Sequence, residues 1–257
     1  MQQQNKDKKK KKDERDLRTP PSLASGGIPD PTPAYQQLSA LPPLALKEPR
    51  KLLVVIDLNG TLLHRPNKRH PSRFVERPHA RQFLAYCIDV FHVVIWSSAK
   101  PANVASMCNQ LLTGEQRSRV VAIWARDKFG LTPTDFVART QCYKRLHVLW
   151  ADPAVAASHP DAARGVRWSQ QDTVLIDDSL EKARSERHNL VEIPEFVSSS
   201  DNDGAVATEV ADILPQVHDY INECASQANV SAFIRERPFR ALPTSQLLLG
   251  MASRPER

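Results

Sequence analysis

Residues 52–56, Leu-Leu-Val-Val-Ile, are apolar without interruption and end on Asp57. A run this short and this apolar reads as a strand buried on both faces, as in parallel sheets. The pattern recurs along the chain. Residues 91–96 stop before Ser97, residues 119–124 end at Trp124, and residues 173–177 end in Asp177-Asp178, with a shorter run at 190–193. Between these runs the apolar positions take helical spacing. Phe83, Leu84, Cys87 and Ile88 share one face of a helix expected over 78–90, with Pro78 in its first turn. Further helices are expected over 101–112, 143–150 and 205–224, the last with Pro215 as a candidate kink. Strands that alternate with helices predict an α/β fold, a doubly wound and mostly parallel sheet with right-handed crossovers.

Two readings stand for Asn59-Gly60, which follows the first strand. The pair is a strong signal for a two-residue hairpin. It also suits a tight turn that leaves Asp57 at the carboxyl end of a central strand, where open α/β sheets build their sites. The alternating rhythm weakens the hairpin. A hairpin needs a partner strand directly after the turn, and residues 62–75 are instead rich in Pro, Arg and His.

The remaining segments read differently. Residues 1–18 hold eight Lys/Arg and four Asp/Glu, so most of the chain's net charge of +6 sits in this tail. Basicity is therefore not spread over a fold-wide nucleic-acid surface, and no direct nucleic-acid binding is expected. The tail, with Lys8 to Lys12 consecutive, reads either as a nuclear localisation signal or tether to an acidic partner, or as a solubilising charge run. It makes a poor mitochondrial presequence, which leaves that compartment as a minor alternative to nucleus or cytoplasm. Residues 19–50 are rich in Pro, Ser and Ala and suggest a linker. The expected organisation is a disordered tail and linker over 1–50, one domain over 51–240 and a disordered tail over 241–257. Residues 152–171 look like a long loop. Cys87, Cys108, Cys142 and Cys224 form no CxxC pair, which suits reduced core thiols in an intracellular protein. No stretch approaches eighteen consecutive apolar residues, so no membrane span is expected. Nothing in the pattern bears on oligomeric state.

Candidate chemistry falls largely at the ends of the apolar runs. Asp57 is a candidate nucleophile, and the Ser97 hydroxyl can donate to a phosphate oxygen. Lys144 can offset the charge of phosphate and carboxylate, and Asp177-Asp178 supply further acids. Carboxylates converging at one sheet edge imply a hard cation with oxygen ligands, most plausibly Mg²⁺. Each piece has a plainer reading: a helix cap for Ser97, a solvated residue for Lys144, a cap for Asp177-Asp178. Their conjunction, in this order and largely after apolar strands, argues for one site.

The order Asp57, Ser97, Lys144, Asp177-Asp178 resembles the four motifs of the haloacid dehalogenase superfamily. Receiver domains use a similar set, but their acid pair comes first. The stretches Ile56-Asp57-Leu58-Asn59-Gly60-Thr61-Leu62-Leu63-His64, Arg77-Pro78, Trp96-Ser97-Ser98-Ala99 and Ile176-Asp177-Asp178-Ser179 narrow the resemblance to the FCP-homology, NLI-interacting-factor-like branch. That branch contains RNA polymerase II carboxy-terminal-domain and Dullard-type phosphatases. The resemblance implies a fold without a large cap domain and a site open to phosphoserine or phosphothreonine in protein segments. It implies Asp57 as phosphoryl acceptor, with Thr61, Ser97 and Lys144 on phosphate. It also implies Mg²⁺ on Asp57, Asp178 and the main-chain carbonyl of Asn59, with Asp177 in support.

Asn59 departs from the family pattern, in which a second Asp protonates the leaving alkoxide and then activates water. An amide does neither usefully. Three outcomes stay open: a slow phosphatase with another acid, His64 or water; a trapped phospho-aspartate; or a pseudophosphatase that binds a partner. A relative of the last kind is the receptor subunit of the mitochondrial presequence translocase.

Overall fold

The computed structural model describes residues 18–67, 70, 73–198 and 213–242. Five parallel strands form the central sheet: β1 (Leu53–Ile56), β4 (His92–Trp96), β5 (Ala122–Trp124), β6 (Thr173–Asp177) and β7 (Leu190–Glu192). Their order is β5-β4-β1-β6-β7, so β1 lies at the centre with Ile56 level with Ile95 and Ile176. The α/β expectation holds. All four residues of β1 and all five of β6 are buried, which accounts for their unbroken apolar character.

Alternate residues from Leu52 through β1 feed two cores. Leu52, Val54 and Ile56 meet the helices Ala80–Val90, Pro101–Leu111, Ile213–Ala225 and Val230–Glu236. Leu53 and Val55 face a second layer with Trp96, Trp124, Phe129, Leu146, Leu149 and Trp168. Pro215 lies within the helix Ile213–Ala225. The expected start of that helix, residues 205–212, lies outside the described residues, as do the lysine run and residues 243–257.

Three expectations need correction. Residues 19–50 are not a free linker from position 19 onward. They form a strap with its own helix, Pro33–Ser39, started by Thr32, whose hydroxyl accepts the Tyr35 N–H, and by Pro33. Tyr35 is buried, and its hydroxyl donates to Asn189 Oδ1 at 3.0 Å and accepts the His188 N–H at 2.8 Å. The strap also bridges at Thr19–Thr140 and Ala45–Gln227. Proline enrichment here pre-sets turns and a helix start rather than keeping the chain loose. Second, residues 152–171 hold a helix, Pro153–Ala157, capped by Asp152, and they bury Val155 and Trp168. Third, the helix expected over 143–150 begins only at Leu146, so Lys144 precedes it, in a tight turn where the Arg145 N–H donates to Tyr143 O.

The turn after β1 is not a two-residue hairpin. Leu62 and Leu63 both donate main-chain N–H groups to Leu58 O, and a two-stranded antiparallel ribbon follows, β2 (Leu63–His64) with β3 (Val75–Glu76).

Candidate active site at the carboxyl edge of the sheet

Asp57 follows the last residue of β1, and its N–H donates to Ile176 O of β6. Asp177 closes β6 beside it. Adjacent parallel strands thus deliver two carboxylates to one edge of the sheet, the place where such sheets carry sites. Both are buried, and two buried ionised carboxylates need compensation. Two lysines provide it. Lys144 Nζ donates to Asp57 Oδ1 at 2.9 Å and to Asp177 Oδ2 at 2.6 Å, and its side chain is 0% exposed. Lys182 Nζ donates to Asp177 Oδ1 and Asp178 Oδ1, both at 2.9 Å, and lies 3.5 Å from Asp57 Oδ2.

The electrostatics follow from burial and these contacts. Burial pushes the Asp177 carboxyl up, but the ammoniums of Lys144 and Lys182 outweigh it and hold the group well below the usual carboxylate range. Burial pushes Asp178 up to about 7, with Lys182 opposing and Asp177 and Asp57 adding to the rise. Burial disfavours the Lys182 charge, and Asp57, Asp177 and Asp178 more than reverse that, so its pKa stands above the ordinary lysine value.

The turn is held from outside. Gly60 has φ +90°, and a Cβ there would collide with the Asp178 carboxylate. The Asp57 turn and Asp178 therefore pack together only because residue 60 has no side chain. Arg77 is buried behind the turn. Its Nε donates to Thr61 O at 2.6 Å, its Nη2 to Gly60 O at 2.8 Å and Pro194 O at 2.6 Å, and its guanidinium lies over the Phe196 ring. The Thr61 hydroxyl is buried in this turn and has no hydrogen-bond partner among the described residues.

Asn59 faces a different neighbour. Its Oδ1 accepts the Arg65 N–H at 3.1 Å and Arg65 Nε at 3.4 Å. Because the main-chain N–H can only donate, the oxygen of the amide is fixed toward Arg65. Ser97 stands just past the end of β4, buried, with its N–H on Trp124 O and its Oγ accepting the Ala99 N–H at 3.4 Å. His64 is turned to the 194–198 segment, its Nδ1 3.0 Å from Ser198 Oγ and 3.1 Å from the Ser198 N–H.

Direct contacts thus join Asp57, Lys144, Asp177 and Asp178. Ser97, Thr61 and Asn59 lie on the neighbouring strand end and the adjoining turn. Sequence reasoning missed Lys182 and gave Arg77 no role. The Asp178–Lys182 spacing of four was the available signal for the first. Carboxylate oxygens of Asp57, Asp177 and Asp178 lie within 4.8 Å of one another, a donor set that could hold a hard divalent cation.

A central parallel strand that ends in a carboxylate, flanked by a second acid-bearing strand, is the arrangement expected of a haloacid dehalogenase-like α/β domain. Within that class it belongs to the NLI interacting factor-like phosphatase family, whose sequence profile matches residues 52–230. It is 30% identical over 225 residues to an uncharacterised FCP1 homology domain-containing protein of Schizosaccharomyces pombe, covering 84% of this chain and 89% of the relative. The fission yeast RNA polymerase II CTD phosphatase Fcp1 bound to beryllium fluoride is similar over 63% of this chain and 43% of its own, at 12% identity and a TM-score of 0.37. A second Fcp1 structure covers 87% of this chain and 56% of its own, again at 12% identity and 0.37. The chain thus spans about half the length of those two structures. At that score the superpositions add nothing to the family assignment. Among the described residues no helix is long and apolar enough to cross a membrane.

Proposed function

We propose that this domain is an aspartate-nucleophile site for phosphoserine or phosphothreonine in protein segments, with turnover limited by Asn59. The carrying observation is Lys144, which bridges Asp57 and Asp177 while fully buried. A buried ion network of this kind is costly to keep without a use for its charge. In the reaction the Asp57 carboxylate attacks phosphorus and the seryl or threonyl oxygen leaves. A water then attacks the phospho-aspartate, which returns Asp57 and releases phosphate. Ser97, Lys144 and the unpartnered Thr61 hydroxyl serve as donors to phosphoryl oxygens. Mg²⁺ held by Asp57, Asp178 and the Asn59 carbonyl, with Asp177 in support, would neutralise phosphoryl charge when bound. The leaving oxygen needs a proton that the Asn59 amide cannot give. His64 is no ready substitute, since its Nδ1 is already engaged with Ser198, so a water supplies that proton and the step is slow.

A second reading, a catalytically inactive FCP-homology binding protein, is favoured by Asn59 itself, whose amide is held on Arg65. A comparison of three proteins on a phosphoserine peptide with Mg²⁺ separates the two: wild type, Asn59→Asp and Asp57→Asn. Restoring the acid should raise turnover by about a hundredfold to ten-thousandfold, and Asp57→Asn should abolish it. Wild-type turnover that survives Asp57→Asn would remove the nucleophile from the proposal. Three inactive proteins would leave the binding reading.

A further inference from the structure

Lys182 has no part in the reaction as proposed above, yet it reaches all three carboxylates of the site. Its Nζ lies 2.9 Å from Asp177 Oδ1, 2.9 Å from Asp178 Oδ1 and 3.5 Å from Asp57 Oδ2. These same three residues form the donor set that suits a divalent cation. An ammonium and a small divalent ion therefore draw on one group of oxygens. We propose that Lys182 is a built-in counter-cation that competes with divalent metal at Asp57 and Asp178, so that a metal ion binds only by displacing its amine.

The main chain argues against an incidental contact. The Lys182 N–H donates to Ser179 Oγ at 3.3 Å, and the Lys182 carbonyl accepts the Lys144 N–H at 2.7 Å. The two lysines are thus set against each other by a backbone hydrogen bond, and both side chains turn to the same acids. The Lys182 side chain is only 8% exposed, so its charge is not satisfied by bulk water and depends on the carboxylates. The charge count points the same way. With all three aspartates ionised, as metal ligands must be, Lys144 alone leaves two negative charges, enough to call for a divalent ion. With Lys182 added, one negative charge remains, and the electrostatic pull on a metal falls accordingly.

This inference borrows from the proposed function only the class of ion, and its test does not read turnover. A protein that never hydrolyses phosphate still reports on Lys182. Mn²⁺ is titrated into the full chain, and free Mn²⁺ is followed by electron paramagnetic resonance. Wild type is compared with Lys182→Met, Lys182→Gln and Lys182→Gln/Asp178→Asn. Removing the ammonium should tighten one Mn²⁺ site by at least about tenfold, and Asp178→Asn should abolish that gain. The melting temperature of either single variant should rise with added Mg²⁺ by more than that of wild type. Lys182→Gln covers the case in which the methionine variant does not fold. Equal or weaker Mn²⁺ binding in the folded variant overturns the proposal. So does a gain that survives Asp178→Asn, because the ion would then sit elsewhere.

Discussion

Two regions of this protein bury polar groups in opposite ways. At the carboxyl edge of the sheet, Asp57 and Asp177 are compensated by full charges on Lys144 and Lys182. Around Tyr35 under the strap, the buried hydrogen-bonding side chains are neutral. Tyr35 donates to Asn189 Oδ1, Asn189 Nδ2 donates to Gln170 O and Thr173 O, and Gln170 Nε2 donates to Ser231 Oγ and Tyr35 O. Each neutral group is satisfied by one or two partners at modest net gain. Each charge at the sheet edge depends on several partners at once, and removing any one leaves the others stranded. A charged cluster is a poor device for stability and a good one for holding a cation. The neutral network does the reverse: it fastens residues 32–39 to the 184–189 turn and carries no charge that a ligand would need.

The difference predicts unequal mutational costs. Lys144→Met keeps the stem volume and removes the ammonium between Asp57 and Asp177. Breaking a buried ion network this way should cost about 3–5 kcal/mol, read as a lower denaturation midpoint by circular dichroism. A cost below about 1 kcal/mol, the range of exposed pairs, would break the comparison. Tyr35→Phe deletes only a hydroxyl and leaves the ring in place. It strands the Asn189 carbonyl and the His188 N–H, for an expected cost of about 1–2 kcal/mol. The same assay reads it, and a loss as large as that of Lys144→Met would mean that the strap, not the site, holds the most demanding polar contacts.

How much of this was legible beforehand depends on what each segment asks of its residues. A strand buried on both faces needs an unbroken apolar run, so β1 and β6 and the acids at their ends stand out in the sequence. Asp57, Ser97 and Asp177-Asp178 were legible for that reason; Lys144, which ends no strand, and Asn59, as a departure, were legible only through the order of the motifs. Lys182 was not. It follows no apolar run, and it sits in a turn over 180–183 that leads into the 3-10 stretch Arg184–Asn189. The side chain folds back over the acids, a tertiary fact that local propensity does not carry. The strap was hidden by composition, because proline and serine read as loop. Its one local signal was Thr32-Pro33, a cap followed by proline at the first helical position. The anchor, Tyr35, is a single aromatic whose partners lie more than 150 residues away.

The smallest expected effect tests whether the strap contact is kept neutral. The His188 ring stacks on Tyr35, with centroids 6.2 Å apart and planes within 4°. Burial, with Arg187 and Arg235 nearby, lowers the His188 pKa to about 4. The sign then follows from linkage. In the unfolded chain this histidine takes a proton below about pH 6.5, whereas in the folded chain it refuses one until about pH 4. Between those values the unfolded state binds more protons, so this contribution to stability is full above about pH 6.5 and is lost as pH falls toward 4. Other groups titrate in the same window, Asp178 among them and in the opposite sense. The informative quantity is therefore a difference. Denaturation midpoints at pH 7 and pH 5 are compared between wild type and His188→Gln, and wild type should lose more on acidification. Equal losses would show that the imidazole is protonated in place, and that the strap, like the sheet edge, tolerates a charge beneath it.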